Sequence, residues 1–177
     1  MSFLDSELHL AYKFGNDPIN SFPFPHLYVQ DIFSDIFYSQ IQKNLPDHNL
    51  LTSMPELYPE EPGFQDHKDR YVMDLVREES INKIEKDKQE FWRGLGDNFQ
   101  NGKLSDLLRN KFQYYLNMRF KLIDNVRFLS EIKLINDRKN NALSPHTEHP
   151  RKVVSVIFNL PTDLSQKLSG TSIYIPK

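Results

Sequence analysis

The sequence contains no cysteine. Disulfides, thiolate metal sites and cysteine nucleophiles are therefore excluded. It has no apolar run approaching the roughly 20 residues that a helix needs to cross a bilayer. The formal net charge is only -2, so no broad electrostatic footprint points to nucleic acid or to an anionic membrane, and neither is expected as a partner. The opening Met1-Ser2-Phe3-Leu4-Asp5 lacks a basic region and a continuous apolar stretch. No signal peptide is read there, and a cytoplasmic protein is the expectation. There is no internal repeat and no low-complexity tract.

What is present is ordinary for a folded chain. The 177 residues are 38% hydrophobic and 26% charged, enough for one domain with a real core. Aromatic residues make up 12%, with 13 Phe and 8 Tyr. That argues for an aromatic-rich core or pocket and against disorder.

Along the chain, the first segment to about Asn20 has no clear period. The run Phe22 to Val29 carries two prolines that favour extended backbone, and it reads as a short strand. Ser34 is placed to cap a helix from Asp35 to about Asn44, with Phe37, Ile41 and Leu45 on one face and Pro46 as its stop. Asp47 to Asp69 is rich in Pro, Asp, Glu and His, and reads as a long surface loop and a candidate lid. Tyr71, Met73 and Leu75 alternate as in a short strand. Two helical stripes follow, Ile81 to Phe99 and Leu104 to Leu116, with Gly94, Gly96 and Gly102 read as separating them. Gly94-Leu95-Gly96 is no dinucleotide fingerprint, because a third glycine and a preceding strand are missing.

After Arg119 the pattern turns to strands. Phe128, Ile132 and Leu134 fit one, Val153 to Leu160 a second, and Ile173-Tyr174-Ile175 a third. Helices first and strands later predict an α+β domain over residues 1–177. Residues 1–118 would be mainly helical support, and residues 119–177 the start of a β core.

The candidate chemistry lies just before the second of these strands. In extended backbone, residues i and i+2 point to the same side. His146 and Glu148 therefore project together, and His149 points away. One imidazole and one carboxylate supply two thirds of a 2-His-1-carboxylate facial triad, which suits Fe(II). On spacing alone zinc fits as well as iron, and a polar loop before a strand is the plainer alternative. Arg151 and Lys152 read as solvated strand-edge charges. His26, His48 and His67 read as loop histidines.

The surrounding residues carry more. The run Leu143-Ser144-Pro145-His146-Thr147-Glu148-His149-Pro150-Arg151-Lys152-Val153-Val154-Ser155 resembles the metal-binding segment of a family of bacterial and phage 2-oxoglutarate/Fe(II)-dependent oxygenases. In that family a strand ending near an Asp leads to Pro-His-Thr-Asp, then to Pro-Arg-Lys and an apolar strand. A Leu-Pro turn and a Gly-Thr-Ser-x-Tyr-x-Pro-Lys segment come next. Here Asp137, Leu160-Pro161 and Gly170-Thr171-Ser172-Ile173-Tyr174-Ile175-Pro176-Lys177 stand at those places. Phe24-Pro25-His26 and His67-Lys68-Asp69-Arg70-Tyr71 are similar as well, so the likeness covers nearly the whole chain.

The resemblance implies a double-stranded β-helix (jelly-roll or cupin-like) braced by the N-terminal helices. It implies Fe(II) held by His146 and Glu148, with 2-oxoglutarate as cosubstrate and a small-molecule or peptidyl substrate. 2-Oxoglutarate would be oxidised to succinate and carbon dioxide as the substrate is hydroxylated. Glu148 stands where the family usually has Asp. The family's distal His ligand, and the basic residue that pairs with 2-oxoglutarate, come after the point matching Lys177. The expectation is therefore the first part of such an oxygenase, with an incomplete β-helix and an open edge after Ile175 that invites self-association. Two other readings stand beside it. One is a truncated, non-catalytic relative that binds a metal or partner weakly. The other is an unrelated α+β binding protein.

Overall fold

A computed structural model describes residues 3–121, 126–138, 146–163 and 171–173. The chain opens with a helix, α1 (Phe3–Asn16), where the sequence showed no period. Its buried side is narrow: Ser6, Leu10 and Phe14 recur every four residues and are buried, while Leu8 and Tyr12 on the other side are exposed. Exposed apolar residues on the outer face blur the helical period that three inward positions define.

The run from Phe22 does not form a strand. Asn20 and His26 pair instead through two backbone hydrogen bonds of 2.8 and 2.9 Å, closing a turn around the prolines. Proline lacks the N–H that a ladder requires. Helix α2 (Asp35–Lys43) begins as its sequence predicts: the Ser34 hydroxyl accepts the Phe37 N–H at 3.4 Å. Phe37 and Ile41 are its buried face.

The stretch expected to be a surface loop is partly structured. It contains 3-10 turns at His48–Leu50 and Pro62–Phe64, a two-residue strand β1 (Thr52–Ser53) and a single helical turn α3 (Met54–Leu57). Leu51, Thr52 and Met54 are buried, so this part of the candidate lid is fastened to the body. Strand β2 (Arg70–Asp74) follows, then the turn α4 (Glu78–Ile81) and the long helix α5 (Lys86–Asn101). Next come α6 (Leu104–Lys111) and α7 (Gln113–Arg119). Gly94 and Gly96 lie inside α5 rather than between helices, and Gly102 is its C-cap. A Cβ added to Gly96 would stand 2.6 Å from the Leu75 carbonyl oxygen. Glycine therefore lets α5 approach the end of β2.

Strand β3 (Lys133–Asp137) completes a three-stranded antiparallel sheet of order β1-β2-β3. Val72 is opposite Thr52 on one side and Ile135 on the other. The central strand is buried on both faces, with Val72 and Met73 each 1% exposed. The sheet thus joins two strands of the helix-rich part to one from the later part. The domain is α+β, with helices and a small open antiparallel sheet. Its main core gathers Leu10, Phe14, Phe37, Ile41, Met73, Leu75, Trp92 and Leu95. Trp92 also donates its indole N–H to the Asn44 carbonyl at 2.6 Å, tying α5 to the end of α2.

Val153 to Leu160, expected as a strand, has no ladder partner among the described residues. Phe158 and Leu160 pack against the core, while Val154, Val156 and Ile157 face outward. The third expected strand is described only at Ile173. Tyr174 to Lys177 and Gly170 lie outside the described residues, as does Leu143-Ser144-Pro145.

Candidate metal centre

The segment that carries His146 and Glu148 is fastened at two places. At its front, Arg119 at the end of α7 donates to the carbonyls of Pro150 and Lys152, the latter at 3.3 Å. A turn closes between them: the Lys152 N–H reaches the His149 carbonyl at 2.8 Å. At its back, the Pro161 carbonyl accepts the Tyr38 hydroxyl at 2.6 Å and the Gln42 amide at 3.3 Å, both from α2. Between these points the Phe158 ring contacts Phe33 and Phe99, with centroid separations of 5.1 and 5.5 Å. The Leu-Pro of the sequence pattern is thus an anchor on α2.

His146 and Glu148 are both exposed. His146 lies near enough to Glu148 to act on its carboxyl electrostatically. His149 is turned into its own loop: its Nδ1 accepts the Arg151 N–H at 3.1 Å. His146 and Glu148 are therefore within electrostatic range of each other, and His149 is engaged in its own loop.

The carboxylate of Glu148 already has partners. Lys152 donates from Nζ to Oε2 at 2.7 Å, and the Ser155 hydroxyl donates to Oε1 at 3.4 Å. The Lys152 hydrogen bond holds the Glu148 carboxyl below the usual carboxylate range, against partial burial that raises it. The Lys152 and His146 charges and the Ser155 hydroxyl act in the same direction as that bond. Lys152 is thus an exposed charge that also pairs with the candidate ligand. The sequence does hold a trace of this, in the basic residue four positions after Glu148, but only the turn at His149 brings the two together.

The donor types suit a metal: one imidazole and one carboxylate are two members of a facial triad. Among the described residues, no group of three His, Cys, Asp or Glu side chains is placed to hold a metal ion. Three further histidines have contacts away from this segment. His9 contacts the Asp31 carbonyl, His26 the Phe24 carbonyl, and His48 lies 3.6 Å from Asp47. Asp137, which stands at the place of the family's preceding Asp, has a sheet role. It forms a bidentate pair with Arg70, its register partner, through two hydrogen bonds of 2.6 Å. Arg138, the next residue, lies over the Tyr71 ring at 4.0 Å.

No helix among the described residues is long and apolar enough to cross a membrane. No protein-family model, curated protein or solved structure matches the chain.

Proposed function

We propose that the chain is a 2-oxoglutarate- and Fe(II)-dependent oxygenase of the hydroxylase type, or the N-terminal portion of one. His146 and Glu148 are two of its metal ligands. The observation that carries this reading is their common place on one exposed segment, within electrostatic range of each other and fastened to α7 by Arg119 and to α2 at Pro161. The sequence on both sides of that pair follows the oxygenase pattern. The finer fold in this reading is a double-stranded β-helix, to which the antiparallel sheet and the apolar run from Val153 would contribute. The setting in this reading is cytoplasmic, and the substrate a small molecule or a peptidyl group.

In this role the chain's task is positioning. His146 offers an imidazole nitrogen, and Glu148 a carboxylate kept ionised chiefly by its Lys152 hydrogen bond. Arg119 holds the turn that follows them through main-chain carbonyls, which fixes the backbone and leaves the two side chains exposed. Bound iron and 2-oxoglutarate would supply the oxygen chemistry.

A second reading is a non-catalytic relative that binds a metal weakly. It is favoured by the occupation of both Glu148 oxygens, by Lys152 and Ser155.

Anaerobic Fe(II) binding and aerobic succinate formation, with 2-oxoglutarate and ascorbate present, test both. They are measured for the chain and for the chain continued in frame beyond Lys177. Iron binding that His146→Ala abolishes, together with succinate formation in either form, supports the oxygenase. Binding that depends on His146 without succinate in either form selects the weak metal binder. Iron binding unchanged by His146→Ala overturns both.

A further inference from the structure

A cleft of about 290 Å³ is lined by Thr52, Leu57, Arg77, Glu79, Ser80 and Lys83, and by no residue of the segment 146–163. Thr52 lies in β1, Leu57 ends α3 and Ser80 belongs to α4. The Lys83 ammonium donates to Thr52 Oγ1 at 3.0 Å. The Asp74 N–H donates to Ser80 Oγ at 3.0 Å. Each hydroxyl therefore accepts one hydrogen bond and keeps its own O–H to give. An ammonium has three N–H donors, and the Thr52 bond uses one of them. The polar groups left over on Thr52, Ser80 and Lys83 are thus donors, which is the complement of an oxyanion.

The charges of the cleft are unevenly matched. Arg77 faces two carboxylates, Asp74 at 3.4 Å and Glu79 at 3.9 Å. Glu79 is 79% exposed and stands at the rim. Among the described residues no carboxylate pairs with Lys83, whose partner is the neutral hydroxyl of the buried Thr52. One positive charge is left uncompensated beside two hydroxyl donors.

We propose that this cleft binds the carboxylate of a small organic acid. Lys83 and the Thr52 and Ser80 hydroxyls hold the carboxylate, and Leu57 is the apolar wall for the carbon chain that follows it. A single unmatched cation fits a single negative charge, whereas a phosphate dianion would bring a second one next to Glu79. The volume exceeds that of a carboxylate group, which leaves room for the chain. The site shares no residue with the candidate metal centre and stands or falls apart from the oxygenase reading.

The test is titration of the full chain with acetate, butanoate and inorganic phosphate, followed by its amide resonances in NMR spectra. Butanoate is expected to bind in roughly the millimolar range, with shifts centred on Thr52, Ser80 and Lys83. Acetate should bind about three- to tenfold more weakly, since it leaves Leu57 uncovered, and Leu57→Ala should bring the two acids together. Lys83→Gln should weaken butanoate by about tenfold, and Lys83→Arg should keep most of the binding. Lys86→Gln removes an exposed lysine outside the cleft and should change nothing. This pattern supports the proposal. Shifts centred elsewhere, equal losses in Lys83→Gln and Lys86→Gln, or no shift at any concentration overturn it. Phosphate that binds through Lys83 more tightly than butanoate overturns the carboxylate as the ligand.

Discussion

The Phe158 ring stacks on that of Phe99, with planes 27° apart and centroids 5.5 Å apart. Phe99 belongs to α5, and Phe158 to the segment that carries His146 and Glu148. An aromatic contact therefore couples the helical core to the candidate metal centre. Each such pair contributes about 0.5–1.5 kcal/mol beyond the apolar area it buries.

Phe158→Ala is accordingly expected to release this segment. The substitution should cost about 1–3 kcal/mol, less than the loss of a fully buried Phe because Phe158 is only half-buried. Limited proteolysis should then cut between His146 and Asp163 before the rest of the chain. An unchanged cleavage pattern would show that Arg119 and Tyr38 hold the segment without it.

Gly96→Ala should destabilise the protein, although alanine in a helix interior ordinarily gains about 1 kcal/mol over glycine. The added Cβ would meet the Leu75 carbonyl oxygen at 2.6 Å and the Leu75 Cβ at 3.2 Å. These atoms sit just after β2 and have little room to retreat. A net loss of about 1–3 kcal/mol in urea denaturation is expected. A gain in stability would mean that α5 and β2 are not in this close contact.

Glu85 links stability to pH. Lys88 donates to its carboxylate at 2.8 Å and the Asp47 N–H at 3.2 Å. The Lys88 hydrogen bond is the main cause of a carboxyl held below its ordinary value of 4.5, against burial that raises it. The folded chain therefore releases this proton more readily than the unfolded chain. The stabilisation is complete above about pH 4.5 and is lost as pH falls through the lower folded value. Glu85→Gln should remove roughly 0.5–1.5 kcal/mol at neutral pH and flatten the acid limb of the stability curve. Parallel curves for the two proteins would rule Glu85 out as a source of that limb.

Glu148→Asp shortens the side chain by one methylene and restores the residue usual in the oxygenase pattern. The carboxylate should draw back from Lys152, whose hydrogen bond now spans 2.7 Å. Under the proposed function, Fe(II) affinity should rise by about fivefold, on the order of 1 kcal/mol. Equal affinities would remove the extra methylene as a factor in metal binding.

The legibility of the fold varied with how local its causes are. The Ser34 cap, α2 and the helical character of the two later stripes were readable, because a cap needs one hydroxyl three residues from an N–H and a stripe needs only its own period. Their breaks were not, since Ile81 ends α4 before α5 begins at Lys86, and the second stripe divides at Phe112 into α6 and α7. Helix α1 was obscured by Leu8 and Tyr12 on its outer face. Strand β2 was located by Tyr71, Met73 and Leu75, but its burial does not alternate. Its neighbours cover both faces, and alternation appears only where one face meets water. The run from Val153 has every mark of a strand, yet a strand exists only with a partner, and the described residues supply none.

By itself, the sequence determined the residue types at the candidate centre and their i, i+2 spacing, the helix start at Ser34, and the exclusion of thiolate chemistry. These depend on side-chain chemistry and short-range backbone geometry. Only the tertiary structure decided that Lys152 and Ser155 occupy Glu148, that Arg119 anchors its turn, and that Asp137 belongs to Arg70. A hydrogen bond requires two groups within about 3 Å, and for partners such as Arg70 and Asp137, 67 residues apart in the chain, only folding sets that distance.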